Sequence, residues 1–287
     1  MILGFISRAL FDGVEQILPN LVTVPSRSVL TFAGLIGRSR QRLSGRWPEA
    51  REVTSLFPEI ANEQAERMAQ TIAAHEAMNR LVTGIVRSPE RRRLEPFISI
   101  NTSTIDSLPP RAILATFHVG TIYALGLALE RLPKPVLALR HGHLHRTDPP
   151  LELVTTEGGL RTRAAAFRRS VAHLRKDGYV LIAADVRSES SLRVTCLGKP
   201  LSLARGPFAL ARITGVPIVP LVARWSGQTI EIVTGEPLQP EASAGVEASL
   251  AAAAGEWLER YLSERPSDIG LGLLRTLLGH AEEMEEG

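Results

Sequence analysis

The feature that most constrains the fold of this chain is a change in hydrophobic periodicity near Pro89. Before it, apolar residues recur at helical spacing and predict helices at about 2–18, 23–43, 49–56 and 62–86. After it, short apolar runs alternate with helical segments. That alternation predicts an α/β fold with a mostly parallel central sheet flanked by helices, preceded by a helical N-terminal region.

The apolar runs after the break have the length of strands. They are FISI at 97–100, AILATF at 112–117, PVLAL at 135–139, ELV at 152–154, YVLIAA at 179–184, LRVTCLG at 192–198, PIVPLVAR at 217–224 and TIEIV at 229–233. Ser226-Gly227 predicts a hairpin between the last two. Helices are expected at about 119–131, 161–176, 206–214, 241–264 and 268–279. We divide the chain into a helical region, 1–90, and an α/β core with C-terminal helices, 91–287, together forming one structural domain.

Composition excludes several classes of protein. With 44% hydrophobic and 22% charged residues, the chain is expected to fold. A net charge of +3 and few aromatic residues give no reason to expect a nucleic-acid partner. The single cysteine, Cys196, excludes an internal disulfide and a thiolate zinc site, and it favours a reducing, cytoplasmic compartment. Motifs typical of P-loop NTPases, serine hydrolases and dinucleotide-binding dehydrogenases are absent from the sequence.

Two basic clusters and an amphipathic N-terminus bear on membrane contact. Residues 2–18 are too short and too charged to span a bilayer, but their apolar face suits a core-facing helix or an interfacial one. Arginines crowd residues 27–46 and again 161–176. Either cluster suits anionic headgroups or phosphate-bearing substrates, and either also suits a solvated helix face.

His118 is the first candidate for chemistry. It follows the buried run AILATF and precedes a helix, with Gly120 in the turn. Ligands collect at the carboxyl ends of strands in open α/β sheets. A histidine there can take a proton from a hydroxyl that attacks an acyl group, although a structural histidine is the alternative.

A second group of histidines suggests a metal. His141, His143 and His145 alternate, so an extended segment would point the three imidazoles to one side. Asp148 is the one acidic ligand nearby. We treat a histidine-based metalloprotein as a third class of function and expect no metal.

Several ordered blocks resemble the lysophospholipid acyltransferase superfamily, and specifically its lipid A late acyltransferase type. HVGTIY at 118–123 resembles the family's His-x-x-x-x-Asp/Glu block. REVTSLFPEI at 51–60, YVLIAADVR at 179–187 and LGKPLSLARGPFALARITGVPIVPLVAR at 197–224 resemble three further blocks, and the last is the most specific. The resemblance spans most of the chain in the family's order.

The resemblance implies a glycerolipid acyltransferase-like fold and transfer of a fatty acyl group. The donor would be a thioester of coenzyme A or acyl carrier protein, with no other cofactor. The acceptor would be a hydroxyl or amine on a lipid, glycolipid or related metabolite. We expect such a protein to lie on the inner face of the cell membrane, with peripheral contact through its N-terminal helices.

The sequence departs from the family where the acid should stand. Tyr123 occupies that position, and a tyrosine is not an anion at neutral pH. Tyr123 could orient His118 by hydrogen bonding, Asp185 could serve as the acid from a neighbouring strand end, or the chain could bind lipid without catalysis. We favour Asp185, although capping of the next turn is its structural alternative.

The remaining candidates bind anions or the acceptor. Arg140 and His145 fall where the resemblance places acceptor or phosphate contacts. Arg205 precedes a helix start, where backbone N–H groups favour anions, and Arg187 follows Asp185 closely. A surface ion pair is the alternative for each arginine. Gly120 would allow close approach of the backbone to the substrate.

Overall fold

The computed structural model describes residue 35 and residues 49–86, 91–140, 151–156, 158–186, 188, 190–241 and 243–279. The helix predicted at 2–18 lies outside these residues, and so does the one at 23–43 except for residue 35. So do four of the candidate side chains, those of His141, His143, His145 and Arg187, and the side chain of Arg140 is not described either.

In the described residues, helices fill four of the connections between consecutive strands and also precede and follow the sheet. They are α1 (Ala50–Leu56), α2 (Asn62–Val86), α3 (Thr102–Asp106), α4 (Ile122–Leu129), α5 (Leu160–Leu174), α6 (Gly206–Thr214), α7 (Val246–Glu264) and α8 (Leu271–Leu278). Two 3₁₀ turns, Arg91–Phe97 and Pro266–Asp268, complete the helical elements of the described residues. None of the helices in this part of the chain combines the length and the hydropathy needed to cross a bilayer.

The central sheet has seven strands in the order β1-β9-β8-β2-β5-β3-β4, and it is parallel except for the β8–β9 pair. A separate two-stranded antiparallel sheet pairs β6 with β7. The strands are β1 (Ile98–Ser99), β2 (Ala112–Gly120), β3 (Val136–Arg140), β4 (Glu152–Thr155), β5 (Tyr179–Ala183), β6 (Ser191–Cys196), β7 (Lys199–Ala204), β8 (Ile218–Ser226) and β9 (Thr229–Thr234). The mixed, mostly parallel α/β architecture predicted from periodicity is therefore confirmed.

The core lies on both faces of this sheet. On one face, the C-terminal half of α2 and helix α4 cover β2, β8 and β9. On the other face, α1, the first half of α2 and helices α5 to α8 form a second cluster with the same strands. Strands buried on both faces need continuous apolar runs, which explains why AILATF and PIVPLVAR are apolar throughout rather than alternating.

Two local predictions were wrong. The helix expected from residue 119 begins at Ile122, because β2 continues through His118 to Gly120. Strand β7 was not predicted, since KPLSLA has a proline and only two large apolar residues. Its hairpin with β6 turns at Leu197 and Gly198, which both have positive φ, 52° and 67°. That pair of values belongs to the tight hairpin turn that usually carries Asn-Gly.

Candidate active site

Strand β2 carries His118 to the carboxyl edge of the sheet. β2 lies between β5 and β8, and its pairing with β8 shifts register between Thr116 and Gly120. Such an irregularity bends a strand locally and re-aims a side chain. The His118 side chain is 43% exposed, although the strand that leads to it is buried.

Asp185 lies directly behind His118. β5 pairs with β2 through Thr116 and Ala183, so the chain after Ala183 runs beside the end of β2. Asp185 Oδ1 lies 2.9 Å from His118 Nδ1, and Asp185 Oδ2 accepts the backbone N–H of His118 at 2.7 Å. The Asp185 side chain is 2% exposed. One buried carboxylate thus fixes both the ring and the backbone of His118.

The charge of Asp185 sets the protonation of the ring. Burial lowers the pKa of His118, but the charge of Asp185 and its hydrogen bond raise it, and the net pKa is above the ordinary value of 6.5. The contact also determines which ring nitrogen of His118 carries the proton. Because the carboxylate accepts from Nδ1, the neutral imidazole holds its proton there and keeps its lone pair on Nε2.

A rigid turn follows the histidine. Gly120 has φ of 61°, and a Cβ at this position would overlap the carbonyl oxygen of Ala223. That same oxygen accepts the N–H of Thr121 at 2.7 Å. Asn79 from α2 donates to the Gly120 carbonyl at 2.6 Å and accepts from the indole N–H of Trp225 at 2.9 Å. Glycine is therefore required here for backbone conformation and close strand contact.

The chain between α7 and α8 supports the histidine from another side. Val119 forms a bridge with Ile269, and a Cβ on Gly270 would overlap the carbonyl oxygen of His118. The same segment contains buried Asp268, which accepts the hydroxyl of Tyr261 at 2.7 Å. His118 is thus held by α2, β5 and the C-terminal helices together.

An apolar cavity of about 550 Å³ lies beside the carboxylate. Ala183 and Val186, on either side of Asp185, line it, and so do residues from α5 and α6. The other lining residues are Leu139, Thr156, Gly158, Arg163, Ala166, Phe167, Ile182, Ser188, Ala204, Gly206, Pro207 and Leu210. Most of these side chains are aliphatic or aromatic, so the cavity suits a hydrocarbon chain.

The structure places the other predicted site residues differently. Tyr123 is in the first turn of α4, 48% exposed, and within the described residues no hydrogen bond joins it to His118. Arg205 precedes α6 as expected, but it donates to the buried carboxylate of Glu247. Arg212 Nε donates to the same carboxylate at 2.6 Å. The ion-pair alternative therefore describes Arg205 better than a free anion site. Arg140 ends β3 and pairs with Thr155 through the backbone.

Sequence reasoning missed Asn79 and Glu247. Each had a signal: Asn79 is a polar residue on the apolar face of α2, between Met78 and Val82, and Glu247 is near the start of an alanine-rich helix. As for metals, the described residues contain no cluster of three or more histidine, cysteine or acidic side chains that could hold an ion. The histidines at 141–145 are outside them, so the metal hypothesis stays a prediction.

Comparisons with known proteins give little sequence similarity. No protein-family model matches the chain. No curated protein matches it either. Among solved structures, it is similar to the 1-acyl-sn-glycerophosphate acyltransferase PlsC from Thermotoga maritima. The identity is 15%, the match covers 67% of this chain and 81% of that chain, and the TM-score is 0.43.

Proposed function

We propose that this chain is an acyltransferase that moves a fatty acyl group from a thioester, coenzyme A or acyl carrier protein, to a hydroxyl or amine on a lipid or glycolipid. One observation carries the proposal: a partly exposed histidine at the carboxyl edge of a mostly parallel sheet is backed by a buried carboxylate at 2.9 Å, and residues on either side of that carboxylate line an apolar cavity. The sequence blocks that resemble the lipid A late acyltransferases support the same reaction.

His118 acts as the general base in the proposed reaction. Its Nε2 takes the proton of the acceptor hydroxyl while the hydroxyl oxygen attacks the thioester carbonyl carbon. The C–O bond forms and a negative charge develops on the former carbonyl oxygen. When this intermediate collapses, the C–S bond breaks, and the departing thiolate takes the proton back from Nε2. Asp185 stabilises the imidazolium that exists between the two transfers.

The cavity holds the acyl chain in this proposal. It lies next to the Asp185 segment, and its aliphatic wall would cover a hydrocarbon chain that water solvates poorly. Gly120 lets the chain turn sharply directly after His118, because its backbone has a positive φ and lies against the carbonyl of Ala223.

The alternative, a lipid-binding protein without catalysis, was motivated by Tyr123 in place of the family's acid. Asp185 supplies the carboxylate that this hypothesis supposed to be missing. We therefore favour a catalytic role in which the acid comes from β5 rather than from the helix after His118.

The experiment is mass spectrometry of the full-length protein incubated with acyl thioesters of several chain lengths and with lysophospholipid or sugar-lipid acceptors. We expect an acylated acceptor and one equivalent of free thiol. Failure of every donor with every acceptor, together with co-purified lipid, would support the binding protein instead.

A further inference from the structure

Helix α5 has a strongly basic outer face. Residues 160–176 contain six arginine and lysine residues and no acidic residue, whereas the whole chain has a net charge of only +3. Arg161, Arg168 and Arg175 are exposed and spaced seven apart, so they form one stripe along the helix. The stripe extends over about 21 Å at 1.5 Å per residue.

These three arginines differ in their surroundings from several nearby arginines that have carboxylate partners. Arg169, on the same helix, is neutralised by Glu152, with Nε 2.7 Å from its carboxylate. Arg205 and Arg212 share Glu247. In the described part of the chain, no carboxylate lies within ion-pair distance of Arg161, Arg168 or Arg175. Their charge is therefore directed at solvent.

The stripe begins beside residues that line the apolar cavity. Gly158 and Arg163 line the cavity, and Leu160 and Arg161 lie between them in the chain. Leu160 is 78% exposed, the largest exposed fraction among the large apolar residues described. On the inner side of the same helix, buried Ala166 lines the cavity. The start of the stripe and the wall of the cavity therefore belong to the same end of α5.

We propose that the outer face of α5 docks on an anionic lipid bilayer, with Arg161, Arg168 and Arg175 at the headgroups and Leu160 inserted at the interface. The reason to prefer a bilayer over an acidic protein is the composition of this face. A specific protein interface needs an apolar centre within roughly 800 Å² per partner. This face offers one large apolar side chain among arginines and alanines, which suits a diffuse surface of negative charge.

The proposal deepens the proposed function and rests on it for the source of substrate. A lipid acceptor or product would pass between the bilayer and the cavity at the start of α5, without crossing water. The docking surface is distinct from the N-terminal helices expected from sequence to contact a membrane, and the two can be tested separately.

The test is co-sedimentation of the full-length protein with phosphatidylcholine vesicles, with and without phosphatidylglycerol. The variant replaces Arg161, Arg168 and Arg175 by glutamine. Its matched control replaces three exposed arginines elsewhere, Arg111→Gln, Arg193→Gln and Arg260→Gln, with the same change in net charge. Glutamine keeps helix propensity close to that of arginine.

We expect the wild type and the control to bind the anionic vesicles and the stripe variant to bind about 100-fold more weakly, at roughly fivefold for each arginine. Leu160→Ser should weaken binding further, and added salt should weaken the wild type most. Equal binding by the stripe variant and the control, or no binding by the wild type, would overturn the proposal. The former result would leave an acidic protein as the partner to seek.

A separate measurement distinguishes this proposal from the proposed function. Vesicle binding requires no turnover, so a His118→Ala variant should sediment with anionic vesicles as the wild type does. Loss of vesicle binding in the stripe variant while acyl transfer to a detergent-solubilised acceptor persists would support docking on its own. If the stripe variant keeps both vesicle binding and acyl transfer, the docking proposal is wrong and the proposed acyltransferase activity stands.

Discussion

Asp185 accepts two hydrogen bonds from a single residue, one from the ring of His118 and one from its backbone. The backbone bond places the carboxylate, and the ring bond then selects the tautomer with its lone pair on Nε2. An acid at the end of the neighbouring strand can therefore both orient a histidine and stabilise its charged form. The arrangement needs β5 to lie beside β2, which the parallel sheet provides.

The substitution Asp185→Asn tests this role through pH dependence. In the wild type, burial lowers the pKa of His118 but Asp185 outweighs it and holds the pKa above its ordinary range, so the rate of acyl transfer should fall as pH drops through this raised pKa. Without the carboxylate, burial remains and lowers the pKa. The acid limb should therefore move to lower pH while the maximal rate falls by about 10²- to 10⁴-fold. A profile with an unmoved acid limb would show that Asp185 does not set the charge of His118.

Gly120→Ala tests the turn after the histidine. The new Cβ would overlap the carbonyl oxygen of Ala223, and the backbone at this position is left-handed. We expect a loss of about 1–3 kcal/mol in the free energy of unfolding, measured by urea denaturation. Gly272→Ala is the control, because nothing lies within 4 Å of its added Cβ and it is in helix α8. Equal stability of the two variants would contradict the account of this turn.

At the residue scale, sequence identified His118 and placed Asp185 at a neighbouring strand end. The distance between the two could not be predicted, because it depends on how far β2 runs past its apolar stretch and on the register of β5. The ion pair of Arg205 could not be predicted from the sequence either. Its partner, Glu247, is 42 residues away, and the two side chains meet only because α7 packs against α6.

At the scale of elements, one carboxylate joins two helices. Glu247 at the start of α7 accepts from Arg205 before α6 and from Arg212 within it. Burial alone would raise the pKa of Glu247, but the hydrogen bonds from the two arginines dominate and lower it. Because the folded-state pKa is lowered, this contribution to stability exists above the unfolded pKa and is lost as pH falls through the folded one.

Glu247→Gln should therefore destabilise the protein at neutral pH and do so less in acid. We expect the free energy of unfolding to fall by about 1–3 kcal/mol near pH 7, because two arginines lose their charged partner. Chemical denaturation of the wild type and the variant at several pH values would measure this difference. Glu63→Gln breaks an exposed pair with Arg67 and should change stability little. An effect of Glu247→Gln that is the same at acidic and neutral pH would contradict the assigned ionisation.

The cavity between α5 and α6 should limit the length of the acyl chain that the protein accepts. Ala166 is buried and lines it, so Ala166→Phe would place a ring in the space assigned to the acyl chain. Turnover of long-chain thioesters should fall while short-chain turnover persists. Ala165→Phe, on the exposed face of the same helix, is the control and should leave the preference unchanged. If Ala166→Phe does not change the preference for acyl-chain length, the acyl chain does not bind in this cavity.

At the scale of the whole molecule, the order β1-β9-β8-β2-β5-β3-β4 puts β2 in the middle of the sheet, and this central position brings α2, β5 and the α7–α8 connection to one histidine. Apolar runs with helical crossovers predicted the parallel sheet and the closing β8–β9 hairpin. They could not give the strand order, because it depends on which helix covers which face. Strand β7 escaped prediction because its tight turn uses Leu197 where an asparagine is usual.

The central claim is that His118 is the general base for acyl transfer, and single-turnover reaction of the full-length protein with an acyl thioester and a lipid acceptor tests it most directly. Free thiol and acylated acceptor should be measured in the same samples. We expect the wild type to form them in equal amounts and His118→Ala to form both about 10²- to 10⁴-fold more slowly. Unchanged rates in His118→Ala, or thiol release without acylated acceptor, would contradict the account.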